Sequence, residues 1–230
     1  MKLFVIGCSF SEGSGLQNAN DKYSYSLANR LQIQNYNLAI SGTSNDYIFR
    51  KTFELLENVI HKDDIIIIQW THFIRFELMQ KYKNINLYCN PPANLEVNSD
   101  KILINDCVDF ENKNIEKSIL NEIDKKNSKY IKEYIVNFLN EDYQYKKTKN
   151  YIKSLYSYLE LNGYKHLHFF GWDDCIINEV LDNKKFINKS FGGYTKTLGT
   201  EHPDKNAHDI WSNVLYNKLE ELKYMQKNLL

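Results

Sequence analysis

Asp63-Asp64-Ile65-Ile66-Ile67-Ile68-Gln69-Trp70 sets four β-branched residues in a row behind two acids. A strand with one wet face alternates apolar and polar residues, so an unbroken run of this kind belongs to a strand covered on both faces, as in a parallel sheet flanked by helices. Leu3-Phe4-Val5-Ile6, closed by Gly7, is a second such run. Between the two, residues 25–31 carry apolar side chains at helical spacing, and residues 36–39 read as a short strand closed by Ser41-Gly42-Thr43-Ser44-Asn45. Residues 46–60 then place Ile48, Phe49, Phe53, Leu55, Leu56, Val59 and Ile60 on one helical stripe. The order so far is strand, helix, strand, helix, strand.

Beyond Trp70 the pattern weakens. About residues 80–127 hold Pro91-Pro92, many Asn residues and scattered charge, which predicts an insertion or lid rather than scaffold. Helical periodicity returns near Tyr130 and, with a break expected at residues 140–142, runs through Ile152, Leu155, Tyr156 and Leu159 to Asn162-Gly163, where Gly163 is the stop. His166-Leu167-His168-Phe169-Phe170 is a further buried strand whose two histidines share a face covered by a helix. Residues 204–225 set Ile210, Trp211, Val214, Leu215, Leu219 and Leu222 on a last helical stripe. Strands alternating with helices through right-handed crossovers give an α/β fold: a flavodoxin-like three-layer α/β/α sandwich with a mostly parallel sheet, as one domain over residues 1–230.

The 29 basic and 29 acidic residues cancel, so no overall field recruits nucleic acid or an anionic membrane. Cys8, Cys89, Cys107 and Cys175 are too scattered for a zinc knuckle or a compact disulfide framework, and free buried thiols are expected. The apolar start is too short for a signal-peptide core, and no segment reaches the roughly 20 apolar residues of a membrane helix. A cytoplasmic location is expected.

In open α/β sheets ligands bind beyond the carboxyl ends of the strands. The segments there are Gly7-Cys8-Ser9-Phe10-Ser11, Ser41-Gly42-Thr43-Ser44-Asn45, Thr71-His72 and Asp173-Asp174, with His202-Pro203 in the loop before the last helix. These are the parts of acyl transfer. Ser9 is the candidate nucleophile, His202 the candidate base, and the N–H groups of Ser9 and Gly42 the candidate oxyanion donors. The spacing of Gly7, Gly13 and Gly15 does not fit a dinucleotide loop, and no H-E-x-x-H pattern marks a metal site, so neither a cofactor nor a metal is expected.

These segments resemble the conserved blocks of the SGNH (GDSL-like) hydrolases. Gly7-Cys8-Ser9-Phe10 is similar to the first block, Asn37-Leu38-Ala39-Ile40-Ser41-Gly42 to the second, and His202-Pro203 followed by Asn206-Ala207-His208 and Trp211 to the fifth. The resemblance implies the flavodoxin-like fold and a serine-dependent hydrolysis of an acyl or O-acetyl ester, on a small molecule or a carbohydrate. It departs from the family at three places. Cys8 replaces the usual Asp, Thr71 stands where the third block has its oxyanion Asn, and Gly199 stands where the orienting Asp precedes the histidine. Thr71 therefore becomes the third oxyanion candidate, and Glu201, Asp173 and Asp174 the open candidates for the orienting acid. The same departures fit an inactive binding or accessory protein.

Three neighbouring residues carry competing readings. His72 either donates to substrate or packs against Trp70 or Phe73. Arg75 either binds a substrate anion or forms a salt bridge, and the bridge is the commoner outcome for such an arginine. Ser9 without its partners reads as a helix N-cap.

Overall fold

The computed structural model describes residues 1–82, 85–89, 107–108, 140–173, 177–180, 183–194 and 202–225. In chain order its elements are β1 (Lys2–Ile6), α1 (Ser9–Glu12), α2 (Tyr23–Leu31), β2 (Gln34–Asn37), α3 (Asn45–Asn58), β3 (Ile65–Trp70), β4 (Leu78–Tyr82), β5 (Ile85–Cys89), β6 (Cys107–Val108), α4 (Glu141–Leu161), β7 (Lys165–Phe170) and α5 (Lys205–Glu221). The main sheet is parallel, in the order β2-β1-β3-β7.

Each central strand is buried on both faces, and its alternate residues feed two cores. Phe4, Ile6, Ile66, Ile68 and Phe170 pack with Tyr47, Ile48 and Leu55 of α3 and with Ile152, Leu155 and Leu159 of α4. Leu3, Val5, Ile65, Ile67, Leu167 and Phe169 pack with Tyr23 and Leu27 of α2 and with Trp211, Leu215 and Leu219 of α5. The result is the expected three-layer sandwich, and the isoleucine run forms its centre because β3 has a strand on either side and a helical layer above and below. The outer edge of β7 is covered as well. His168 N–H donates to Lys185 O, Ile187 N–H to His168 O and Phe191 N–H to Phe170 O, so residues 185–191 run beside β7 like a frayed fifth strand.

Several expectations shift. The second strand spans Gln34–Asn37 rather than 36–39, although Leu38 and Ile40 still donate to Val5 O and Gly7 O. It is an edge strand of half-buried residues, so its apolar signal lags its backbone pairing. Val59 leaves the α3 stripe as its C-cap, outside helical φ/ψ, and is 43% exposed. Ile210 is 37% exposed because the inward row of α5 runs Ala207, Trp211, Leu215, Leu219 at intervals of four. The expected break near residue 140 is the N-cap Asn140, whose side chain accepts from Tyr143 N–H, and Gly163 follows the end of α4 with φ 72°.

Most of the segment at about 80–127, and residues 130–139 before α4, lie outside the described residues. The described part comprises β4, β5 and β6, which form a separate antiparallel sheet. Among the described residues no helix is long and apolar enough to cross a membrane.

Candidate active site

Gln69, the penultimate residue of β3, is fully buried where the ends of β1 and β7 flank it. A side chain at Gly7 would meet Gln69 Cβ at 2.7 Å, and one at Gly171 would meet Gln69 Nε2 at 2.5 Å. Only glycine at these two places leaves room for the carboxamide. Its Oε1 accepts from Ser11 N–H at 2.8 Å and its Nε2 donates to Cys8 Sγ. An N–H of the first turn of α1, which has no intrahelical partner, is thus satisfied by β3, and the turn that carries Ser9 is tied to the sheet.

Ser9 is the first residue of α1 and 3% exposed. Cys8, not Ser9, holds the N-cap position and makes no side-chain capping bond, so Ser9 is not a helix cap. Cys8 itself is a free buried thiol, as expected. Phe10, the next residue, lies 5.5 Å from the His202 ring and 4.2 Å from the Trp172 ring, centre to centre. The chain's first turn and the loop before α5 therefore meet at one edge of the sheet, and that loop is held by Asp204, whose side chain accepts from Ala207 N–H at the start of α5.

The segment after β2 closes over the same edge. Gly42 has φ 78°, a left-handed conformation that a side chain would strain. Thr43 Oγ1 donates to Gly7 O and Ile40 O. Asn45, buried at the start of α3, accepts from Thr71 N–H and donates to Thr71 O, both at 2.9 Å. The backbone of Thr71 is thus clamped from both sides, while its Oγ1 is buried with no hydrogen-bond partner.

His72 packs on Phe73, at 4.6 Å between rings, rather than on Trp70, and its Nδ1 accepts from Ile74 N–H. Among the described residues Arg75 forms none of the ion pairs, although a salt bridge was expected of it. Its guanidinium instead lies 4.9 Å from the Trp172 ring centre, while Glu77 pairs with Arg50 and Asp46 with Lys147. Asp173 accepts from Ser190 Oγ at 2.6 Å. Glu201 and Asp174 lie outside the described residues.

Two features were not legible beforehand. Gln69 and Asn45 are clamps rather than reactants, and the only sequence signal for either was a polar residue ending an apolar run or opening a helix. The histidines of β7 are buried together under Tyr156, as expected, but they also form a line. Trp70 Nε1–H donates to His168 Nδ1, which places the His168 proton on Nε2, facing His166 Nδ1 at 2.9 Å. His166 Nε2–H then donates to the Glu160 carboxylate, which also pairs with Lys185. Burial pushes His166 down to about 3, and burial together with its neighbour pushes His168 well below the ordinary range, so both rings are neutral. We read the Glu160 contact as a hydrogen bond to a neutral ring rather than an ion pair, since Lys185 already balances the carboxylate.

His208 accepts from Tyr23 N–H at Nδ1, stacks on the Tyr23 ring and is pushed down to about 4 by burial. Among the described residues no cluster of three or more His, Cys, Asp or Glu side chains is placed to hold a metal ion.

No family model matches the sequence, and no curated protein matches it. Solved structures do. The esterase EstA of a Pseudoalteromonas species, described in a form inhibited by monoethylphosphonate, is 11% identical, with a TM-score of 0.51 over 96% of this chain and 98% of its own. A lipolytic protein of the G-D-S-L family from Desulfitobacterium hafniense DCB-2 is 11% identical, at 0.51 over 95% of this chain and 99% of its own. TesA is 14% identical, at 0.52 over 96% and 99%. With the strand order and the two helical layers above, these likenesses show that the chain has the three-layer α/β/α fold shared with G-D-S-L lipolytic proteins.

Proposed function

We propose that the protein is a serine-dependent ester hydrolase of the SGNH type, with Ser9 as nucleophile and His202 as general base. One observation carries the reading: the turn bearing Ser9, the Gly42 segment, Thr71 and the His202 loop gather at one edge of a sheet whose fold is that of lipolytic proteins. In the reaction Ser9 Oγ adds to the ester carbonyl as its proton passes to His202 Nε2. The oxyanion takes hydrogen bonds from the N–H groups of Ser9 and Gly42 and from Thr71 Oγ1. Collapse expels the alcohol, which leaves with the proton from His202, and water then repeats the sequence on the acyl-enzyme to release the acid and restore Ser9. An acyl or O-acetyl ester, on a small molecule or a carbohydrate, is the substrate class we assign.

The orienting acid is drawn from Asp173, Asp174 and Glu201. Because that acid positions and stabilises an imidazole rather than reacting, its absence from the usual place lowers the rate without removing the chemistry. A second reading, an inactive binding or accessory protein of the same fold, is favoured by Gly199 and Thr71 at the family's Asp and Asn positions.

A fluorophosphonate probe followed by mass mapping separates the two. The hydrolase is labelled on Ser9, labelling is lost in His202→Ala, and Ser9→Ala lowers hydrolysis of short acyl esters by more than about 10³-fold. Activity of the native protein rises with pH as the His202 imidazole loses its proton. A folded protein that takes no label and cleaves no ester is the binder.

A further inference from the structure

Arg75 is the unusual cation of this edge. The other arginine beyond α2, Arg50, is held between Glu54 and Glu77. Arg75 has no such partner among the described residues. Its Nη1 reaches Thr43 O only at 3.5 Å, at the margin of a hydrogen bond, and its Nε is buried with no acceptor at all. Leaving a charged donor without a partner in a half-buried place is costly, and protein interiors seldom retain it without use.

Its surroundings connect it to the candidate site. Thr43 is the residue after Gly42 and is bonded to Gly7 O. Trp172, beside the guanidinium, packs at a tilt on Phe10, which follows Ser9 in the chain and lies 5.5 Å from the His202 ring. Arg75 as a residue is half-buried rather than sealed in the interior. A guanidinium is a planar fork of donors, which suits the two oxygens of a carboxylate or another oxyanion.

We propose that Arg75 is a specificity residue that binds an anionic group of the substrate, so that the protein acts on esters bearing a carboxylate or similar oxyanion rather than on neutral ones. This rests on the hydrolase reading for the word substrate, and on the Arg75 surroundings for the anion. The anion is carried either on the acyl group or on the alcohol, and the test has an arm for each.

The first arm compares an aryl hemiglutarate ester with an uncharged aryl ester of equal chain length. The second compares 4-acetoxybenzoate with its methyl ester. The readout is the ratio of kcat/KM within each pair, which cancels any general loss of activity. The native protein favours the charged member in one arm, and Arg75→Gln lowers that ratio by about ten- to hundredfold. Arg75→Lys keeps the charge without the fork, retains part of the preference, and decides the matter if the glutamine variant does not fold. A ratio near one in both arms of the native protein, or a preference that survives in Arg75→Gln, overturns the proposal while the hydrolase reading stands. If no ester is cleaved, that reading falls. Calorimetry with glutarate and 4-hydroxybenzoate then judges the anion site alone: binding by the native protein that is lost in Arg75→Gln upholds it, and no binding overturns it.

Discussion

Under Tyr156, in the α3–α4 core, the line Glu160, His166, His168 and Trp70 gives every donor an acceptor, whereas at the carboxyl edge of the same sheet Thr71 Oγ1 and Arg75 Nε are buried with none. Both regions carry polar groups. The line is complete because two strands and a helix place its members in one row. The edge is half complete: Gln69 and Asn45 satisfy the backbone of α1 and of Thr71, and what remains unpaired is side chain that points among the loops. An orphan by itself marks no site, since His208 Nε2 is also unpaired amid the rings of Tyr23 and Phe191. The lesson lies in position. On the proposed hydrolase reading, donors left over at the carboxyl edge serve a reacting ester, and a donor left over between rings does not.

The comparison breaks most visibly if the interior line is cut. His168→Leu leaves Trp70 Nε1–H and His166 Nδ1 without partners in a sealed place, and urea denaturation is expected to show a loss of about 2–5 kcal/mol from two orphaned groups. Stability unchanged by this variant would mean that the line is not a structural unit. A smaller loss, about 1–3 kcal/mol, is expected for Gln69→Leu, which orphans Ser11 N–H and removes the weaker bond to Cys8 Sγ; hydrolysis is expected to fall with it as the Ser9 turn loosens.

Acid sharpens the same contrast. Unfolded histidines take up protons near pH 6.5, whereas in the folded protein His166 does so only near 3 and His208 near 4. Between those limits the unfolded chain holds more protons, so stability is complete above pH 6.5 and declines as the pH falls below it, by about 1.4 kcal/mol per pH unit for each proton taken up. Denaturation curves at pH 7, 6 and 5 measure the slope, and His208→Gln should flatten it by close to one proton.

The smallest effect on stability belongs to Thr71→Val. This near-isosteric change removes an unpaired hydroxyl and shifts unfolding by less than about 1 kcal/mol, yet ester hydrolysis drops about tenfold or more if Oγ1 serves the oxyanion. Unaltered hydrolysis would remove Thr71 from the oxyanion hole and leave the Ser9 and Gly42 N–H groups as its donors.

Much of the scaffold was legible in advance. The isoleucine run, the short run before Gly7 and the strand-helix alternation led to the parallel sheet, because burial on both faces writes itself into consecutive residues. The edge strand at Gln34–Asn37 was misplaced because half-buried polar residues write no such signal. At the candidate site, the positions of Ser9, Gly42, Thr71 and His202 after or before particular elements were readable. The engagement of Asn45 with Thr71 was not, nor the contact of Arg75 with Trp172, where a salt bridge was the expectation.

By itself, then, the sequence determined the buried central strands, the helices that cover them, and which small and polar residues follow each of those strands. Only the tertiary structure decided how those residues are partnered: that Gln69 fits between two glycines and reaches Ser11, that His166 and His168 form a hydrogen-bonded line with Trp70, and that Glu77 and Asp46 pair with Arg50 and Lys147. The physical reason is range. Apolar periodicity is a local property of successive residues, whereas a polar group's partner is chosen among every segment the fold brings within about 3 Å of it, however distant in the chain.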